Sequence, residues 1–199
     1  QDVCTNLGIT QIENRTENDP DVRPYVFERD LEYISIDLPP DLKAAITVIN
    51  ALIEERLALL ASLHFTVPKR EKLTMKALNE INAQIQQRIT NRDPVAYSAA
   101  SLYAACMKLR HAITLAESQG SEVLKGYIAK LVAEGTGSGG SKASQGLIKD
   151  HSFRELFERS RTWTQELHPK PEITLHLVRE QLQAHPESRI IIFATYRDT

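Results

Sequence analysis

A long block of helical periodicity, from Asp41 to about Leu167, most constrains how this chain can fold. Apolar residues recur there every three or four positions, the spacing that gathers side chains on one face of a helix. An alternating run, Leu31–Leu38, precedes the block, and a short apolar run, Arg189–Ala194, follows it; both patterns predict β-strands. We therefore predict a mainly α fold, an antiparallel helical bundle inserted between the partial edges of two α/β domains.

Local signals divide the block into helices. Asp93 precedes Pro94, which is the usual order of an N-cap acid and a first-turn proline. Ser152 has Glu155 three residues on, so a capping box predicts a helix that begins at Ser152. The predicted helices cover Asp41–Leu63, Lys72–Thr90, Pro94–Gln119, Glu122–Glu134, a segment from Ser152 onward, and Ile173–Ala184. We expect Gly135–Ser141, between the fourth and fifth of these, to be a flexible loop.

The two cysteines, Cys4 and Cys106, are far apart and fit no metal or redox spacing. Cys106 falls on the apolar face of its helix, so we predict a buried thiol, and helical spacing likewise places Trp163 in the core. No apolar run approaches the roughly 18 residues of a membrane span. The chain begins without a methionine and stops just after a predicted strand, so we expect it to be a piece of a longer protein.

Charge is distributed unevenly along the chain. Residues 1–40 hold 3 basic and 9 acidic side chains, whereas residues 41–167 hold 17 basic and 13 acidic ones. Six of the basic residues fall within Lys69–Arg92, beside only two acidic ones. A basic stripe on one element is the usual footprint of a phosphate backbone, although a solvated helix face explains the same count.

The glycine-rich loop does not match a nucleotide-binding loop. Gly135 and Gly140 have the required separation, but Ser141 stands before Lys142, and Ala143 occupies the hydroxyl position. The histidines show no metal-ligand spacing, and no nucleophile, base and acid pattern is readable. We predict no catalytic residue and no metal site in this chain.

Basic residues are therefore the candidate ligand-binding groups. Lys69, Arg70, Lys72 and Lys76 surround the start of the second predicted helix. Lys142 follows the glycine-rich loop, where backbone amides, hydroxyls and a charge can meet a phosphate. We predict that these five residues bind nucleic acid.

Segments in one order along the whole chain resemble the archaeal Hef helicases, relatives of the eukaryotic FANCM branch-point translocases. These segments are Asn6–Ile9, Ile12–Glu17, Asp19–Val26, Arg110–Ala112, Glu117–Gly120, Ser138–Ser144, His168–Lys170 and Ile190–Thr199. The resemblance implies three parts: residues 1–40 as the C-terminal edge of a first RecA-like domain, 41–167 as a thumb-like helical insertion, and 168–199 as the start of a second RecA-like domain. It also places Thr195, Tyr196 and Arg197 in helicase motif IV, near the nucleic-acid strand.

The resemblance implies an ATP-dependent helicase or translocase that acts on branched or forked DNA, with the insertion holding the branch point. ATP and Mg²⁺ are then cofactors of the full-length protein, in an archaeal cytoplasm, and this chain alone should bind neither and be inactive. Its partners are forked DNA and the remaining RecA-like segments, with no membrane. Two alternatives stay open: a non-catalytic helical domain that binds a protein, and an RNA-sensing relative of the same helicase group.

Overall fold

The helical prediction is confirmed. A computed structural model describes residues 2–26 and 31–193, and its contacts divide the chain into two compact units, Gln1–Ser35 and Ile36–Thr199. The α-helices are α1 (Asp2–Asn6), α2 (Pro40–Ser62), α3 (Met75–Thr90), α4 (Pro94–Ser118), α5 (Ser121–Thr136), α6 (Lys142–Lys149), α7 (His151–Arg161) and α8 (Lys170–Ala184). Short 3₁₀ helices occur at Arg23–Tyr25 and Arg70–Lys72.

Neither predicted strand forms within the described residues. Leu31–Leu38 and the described part of the second run, residues 189–193, have no regular structure, and Tyr33 and Phe193 are about 90% exposed (89% and 90%). A strand requires hydrogen bonds to a neighbouring strand, and residues 2–26 and 31–193 provide none. Alternation of apolar and polar residues identifies the two faces of a possible strand, but the strand forms only beside a second strand.

The first unit is held by local polar contacts. Arg15 pairs with Glu13 and, at 2.9 Å, with Asp21. Its apolar side chains at Leu7 and Ile12 remain more than two-thirds exposed (70% and 72%). This unit therefore has no apolar core of its own among the described residues.

The bundle is organised around α4, which packs against α2, α3, α5 and α6, while α7 packs against α2, α5 and α6. Cys106 and Trp163 are buried in its core, as predicted. The largest fully buried side chains are Leu42, Ile49, Leu52, Ile53, Leu60, Leu78, Ile81, Ile85, Leu109, Leu124, Ile128 and Phe153. Burial of this apolar surface is the main force that holds the six helices together.

The start of α7 corrects the predicted capping box. The N-cap is Asp150, whose carboxylate accepts from the amides of Ser152 (3.0 Å) and Phe153 (3.4 Å). Ser152 lies inside the helix rather than before it. An ionised carboxylate is a strong N-cap acceptor, and Asp150 is also held by Arg56, a tertiary contact that local spacing does not reveal.

A carboxylate fixes the connection after the bundle. Glu166 accepts hydrogen bonds from the Ser121 amide (2.8 Å) and the Glu122 amide (3.1 Å) at the N-terminus of α5. Burial acts to raise the pKa of Glu166, but these bonds and the His168 amide outweigh it, so the pKa is lowered. Gly120 has φ +105°, and a Cβ there would lie 2.4 Å from the Glu166 carboxylate, so the glycine makes this approach possible.

Candidate nucleic-acid interface

The connection between α2 and α3 and the first two residues of α3, residues 63–76 together, form a built structure that we name the α2–α3 corner. Arg88 of α3 donates to the carbonyl oxygens of Leu63 (3.0 Å) and His64 (2.6 Å), beyond the end of α2. Its guanidinium also lies 4.1 Å from the centre of the Phe65 ring. Arg88 therefore satisfies carbonyls that the end of a helix leaves unpaired, and it anchors the corner to α3.

The rest of the corner is fixed in the same way. Thr66 exchanges two backbone hydrogen bonds with the side chain of Gln84, at 2.9 and 3.1 Å. Arg110 of α4 donates to the carbonyl oxygen of Leu73, a buried residue. Thr74 caps α3 by accepting from the Ala77 amide at 3.2 Å. Groups attached to this corner are therefore held in place before any ligand arrives.

Three of the four predicted basic residues at this corner are available to a ligand. Lys69, Lys72 and Lys76 are exposed and make no ion pair with any described residue. Arg70 differs, because its Nε lies 2.6 Å from a carboxylate oxygen of Glu54 and the side chain is half-buried. The corner thus presents three free positive charges on a fixed backbone, while Arg70 is largely neutralised.

Lys142 lies in different surroundings. It lines an open groove of about 520 Å³ between α2, α4 and α6, which we name the α2/α4/α6 groove. On α2, Glu55 and Leu59 line this groove, whereas Glu54 and Ala58 line a separate hollow beside the basic corner. These pairs lie on different faces of α2, so the structure does not bring Lys142 together with the other candidates.

The loop before Lys142 covers residues 137–141 and is shorter than the predicted Gly135–Ser141, because Gly135 and Thr136 belong to α5. Glu134 pairs with Lys108 of α4 at 2.8 Å. This hydrogen bond and those from the Ser141 and Ser144 hydroxyls lower the pKa of Glu134 to about 2. Ser141 also caps α6 by accepting from the Ser144 amide at 3.2 Å. Polar contacts of Glu134 therefore connect this loop to α4 and to the start of α6, and its flexibility stays a prediction.

An ion pair that the sequence did not predict, between buried Arg56 and partly buried Asp150, lies among the residues that line the groove. Arg56 of α2 is 7% exposed and contacts Asp150 at 2.7 Å and Glu55 at 2.8 Å. Burial acts to raise the pKa of Asp150, but the hydrogen bond and charge of Arg56 outweigh it, so the pKa is lowered. A signal was present, because Arg56 occupies a position among the apolar residues that α2 turns inward, between Ile53 and Leu57.

The remaining predicted site residues, Thr195, Tyr196 and Arg197, lie outside the described residues. In the part of the chain that the structure describes, no three potential metal ligands cluster. No described helix is long and apolar enough to cross a membrane.

The chain matches known helicases over its whole length. Residues 41–160 match the family model "Putative ATP-dependent RNA helicase, helical bundle". "Putative ATP-dependent RNA helicase MJ1505" of Methanocaldococcus jannaschii is 35% identical over 198 residues, which is 100% of this chain and 24% of that protein. The "ATP-dependent DNA helicase mph1" of Neurospora crassa is 27% identical over 100% of this chain and 18% of its own length. The chain thus spans about a quarter or less of these relatives.

A solved structure agrees with these relatives. The crystal structure of the Pyrococcus furiosus Hef helicase domain superposes with a TM-score of 0.73 and 31% identity, over 98% of this chain and 41% of that one. The resemblance to Hef that the sequence predicts is therefore confirmed. Because the family model covers more than half of the chain and the same residues form the bundle, this chain belongs to the family of helicase helical-bundle domains.

Proposed function

We propose that this chain is part of an ATP-dependent helicase or translocase and that its bundle holds branched or forked DNA. ATP and Mg²⁺ then act in the full-length protein, and the segments 1–40 and 168–199 belong to RecA-like motor domains. Motor closure on ATP moves those domains, and the bundle keeps the branch point in place. Membership of a helicase family supports the motor, and the free lysines of the α2–α3 corner support the DNA contact.

The proposed DNA contact rests on which basic residues are already ion-paired in the folded chain. Lys69, Lys72 and Lys76 are exposed with no described carboxylate within ion-pair distance. Each can therefore contact a phosphate without first breaking an ion pair. Release of counterions from the phosphates then favours binding, and it makes binding weaken as salt rises.

The test replaces Lys69, Lys72 and Lys76 together by alanine and measures binding of forked DNA across a salt series. Each lost phosphate contact reduces the slope of log K against log salt by roughly 0.9, so the triple variant should lose about 2 to 3. Arg70→Ala alone should change affinity less than any one of the lysines, because Glu54 already pairs with Arg70 at 2.6 Å.

The matched control replaces Lys130, Lys149 and Arg154 by alanine, three exposed basic residues of α5, α6 and α7 that make no ion pair with any described residue. This variant loses the same net charge but should keep most of the salt slope. An unchanged slope in the first triple variant contradicts the assignment of the α2–α3 corner. No binding of any nucleic acid by the unaltered chain favours the protein-binding alternative.

A competition experiment distinguishes RNA from DNA as the nucleic acid that the chain binds. The family description and the M. jannaschii relative name RNA helicases, whereas the N. crassa relative is a DNA helicase. A lysine contacts the phosphates of either polymer, and only groups that reach the 2′-hydroxyl distinguish them. Forked RNA of the same sequence should therefore compete more weakly than forked DNA if DNA is the substrate, and stronger competition by RNA overturns that choice.

A further inference from the structure

The α2/α4/α6 groove is a second concave surface of the bundle, apart from the basic corner. Its volume of about 520 Å³ falls within the roughly 300–1,000 Å³ of small-molecule sites. Its wall includes Tyr97, whose side chain is exposed although the residue lies on the central helix α4. Ser98 and Ser101 lie along the same wall, and Lys142 lies on the α6 side. An exposed aromatic ring, hydroxyls and a lysine thus line one concave surface.

The charges in the groove are nearly balanced. Arg56 pairs with both Glu55 and Asp150, so these three groups leave one net negative charge on the α2 and α6 side. Lys142 is exposed and makes no ion pair with any described residue, and it offsets that charge. A groove of this kind does not suit a duplex, whose closely spaced phosphates require a row of cations. One lysine suits one phosphate.

We propose that this groove binds a single unpaired nucleotide, with its base stacked on the Tyr97 ring and its phosphate on Lys142. This inference rests on the proposed function. It adds that the second site binds single-stranded rather than duplex nucleic acid. Stacking on an aromatic side chain needs no net charge, since every base has a π face. The hydroxyl of Ser101 donates to the Tyr97 carbonyl oxygen at 3.3 Å, which leaves its lone pairs free to accept from a base edge.

This placement divides the work of fork binding between two faces of the bundle. The α2–α3 corner contacts duplex phosphates through three lysines, whereas the groove receives a base that has left the duplex. The two sites share no lining residue on α2, so each can be altered without the other.

The experiment uses the full chain with two fluorescent probes, an oligo-dT single strand and a blunt duplex, and it compares Tyr97→Ala with Tyr97→Phe. Loss of the ring should weaken single-strand binding roughly tenfold, while phenylalanine should keep it within about twofold because the ring face remains. Neither change should affect duplex binding. Circular dichroism of both variants confirms that the bundle is folded.

The lysine is tested in parallel on the same probes. Lys142→Ala should weaken single-strand binding by about threefold to tenfold, and Lys149→Ala, at the other end of α6, should not. A fluorescent base analogue, 2-aminopurine, placed within the single strand should lose fluorescence when it stacks, and Tyr97→Ala should restore that fluorescence.

Equal single-strand affinity of Tyr97→Ala and Tyr97→Phe overturns the stacking site, as does an equal effect of Lys142→Ala and Lys149→Ala. In either case the proposed function stands if the triple variant of the α2–α3 corner still loses its salt slope on duplex. If that triple variant keeps its slope while Tyr97→Ala loses single-strand binding, the groove is the nucleic-acid site and the corner is not. Absence of binding by the unaltered chain overturns both.

Discussion

Two connections of the bundle, the α2–α3 corner and the loop 137–141 before Lys142, lie beside predicted phosphate-binding lysines but differ in their surroundings. A charged residue of an adjoining helix contacts each: Arg88 donates to carbonyl oxygens in the first, and Glu134 accepts from hydroxyls and pairs with Lys108 in the second. Exposed lysines lie in or beside both connections. At the corner the lysines have no described acidic partner, whereas beside Lys142 the groove holds Glu55 and Asp150, bridged by Arg56.

The comparison teaches that the number of basic residues does not identify a phosphate site. Arg70 belongs to the most basic stretch of the chain, but Glu54 pairs with it. Lys142 is free, but its neighbours balance its charge. The pairing state of each group in the folded chain decides what it can bind, and that state depends on residues far away in sequence.

The largest effect should follow the loss of the arginine in the groove. Arg56→Met removes the buried guanidinium that pairs with Asp150, a carboxylate that is 18% exposed and keeps its hydrogen bonds from the amides of α7. Loss of one member of a fully buried ion pair costs about 3–5 kcal/mol of unfolding free energy, and we expect about 3 kcal/mol here because Asp150 is only partly buried. Urea denaturation at pH 7 measures it.

A double-mutant cycle checks the cause. Asp150→Asn retains an N-cap side chain for α7 but removes its charge, and its combination with Arg56→Met should restore part of the lost stability. If the stability losses of the two single variants simply add in the double variant, the Arg56–Asp150 ion pair does not stabilise the fold. The contrast between a groove with paired charges and a corner with free lysines is then weaker.

The second prediction concerns the corner. Arg88→Lys keeps the positive charge, but lysine has no planar fork and cannot reach both carbonyls while it stacks on Phe65. We expect a loss of about 2 kcal/mol in unfolding free energy, because charged hydrogen bonds to the Leu63 and His64 carbonyls are removed. Chemical denaturation measures this loss.

Forked-DNA affinity should also fall in Arg88→Lys, since the lysines of the corner are held less firmly. Arg92→Lys, at an exposed position after α3, is the matched control and should leave both quantities unchanged. Wild-type stability and affinity in Arg88→Lys mean that the corner needs no anchor, which contradicts the built structure described above.

The smallest effect should come from the loop 137–141. Glu134→Gln removes an ion pair with Lys108 that is about a third exposed, so we expect a loss of about 1 kcal/mol at pH 7. The pKa of Glu134 is lowered from 4.5 to about 2, so the ionised group stabilises the folded state above about pH 4.5. That contribution is lost as pH falls toward 2.

The difference in unfolding free energy between wild type and Glu134→Gln should therefore shrink from pH 5 to pH 3. Glu158→Gln removes an exposed pair with Arg161 on α7 and should show a smaller difference at every pH. A Glu134 difference that does not change with pH argues against a charge-dependent loop anchor.

Sequence reasoning identified the bundle and most of its helices because their signals are local. Asp93 accepts from the Val95 amide at 2.9 Å and begins α4 as its sequence predicts. The apolar stripe of α3 is buried at Leu78, Ile81 and Ile85. Caps and apolar periodicity involve residues within a few positions of one another, so they can be recognised within the sequence of a single helix.

The strands and the charge pairs needed the tertiary structure. Leu31–Leu38 has strand alternation, but a strand forms only beside another strand, and none lies within residues 2–26 and 31–193. Arg56 pairs with Asp150, 94 positions away in the sequence, and Lys108 pairs with Glu134, 26 positions away. Short-range pattern and residue order were enough to predict most helices, the apolar core and the family, although α6 was not predicted. Only the packing of the helices decided which lysines are free, because ion pairing depends on distance in space.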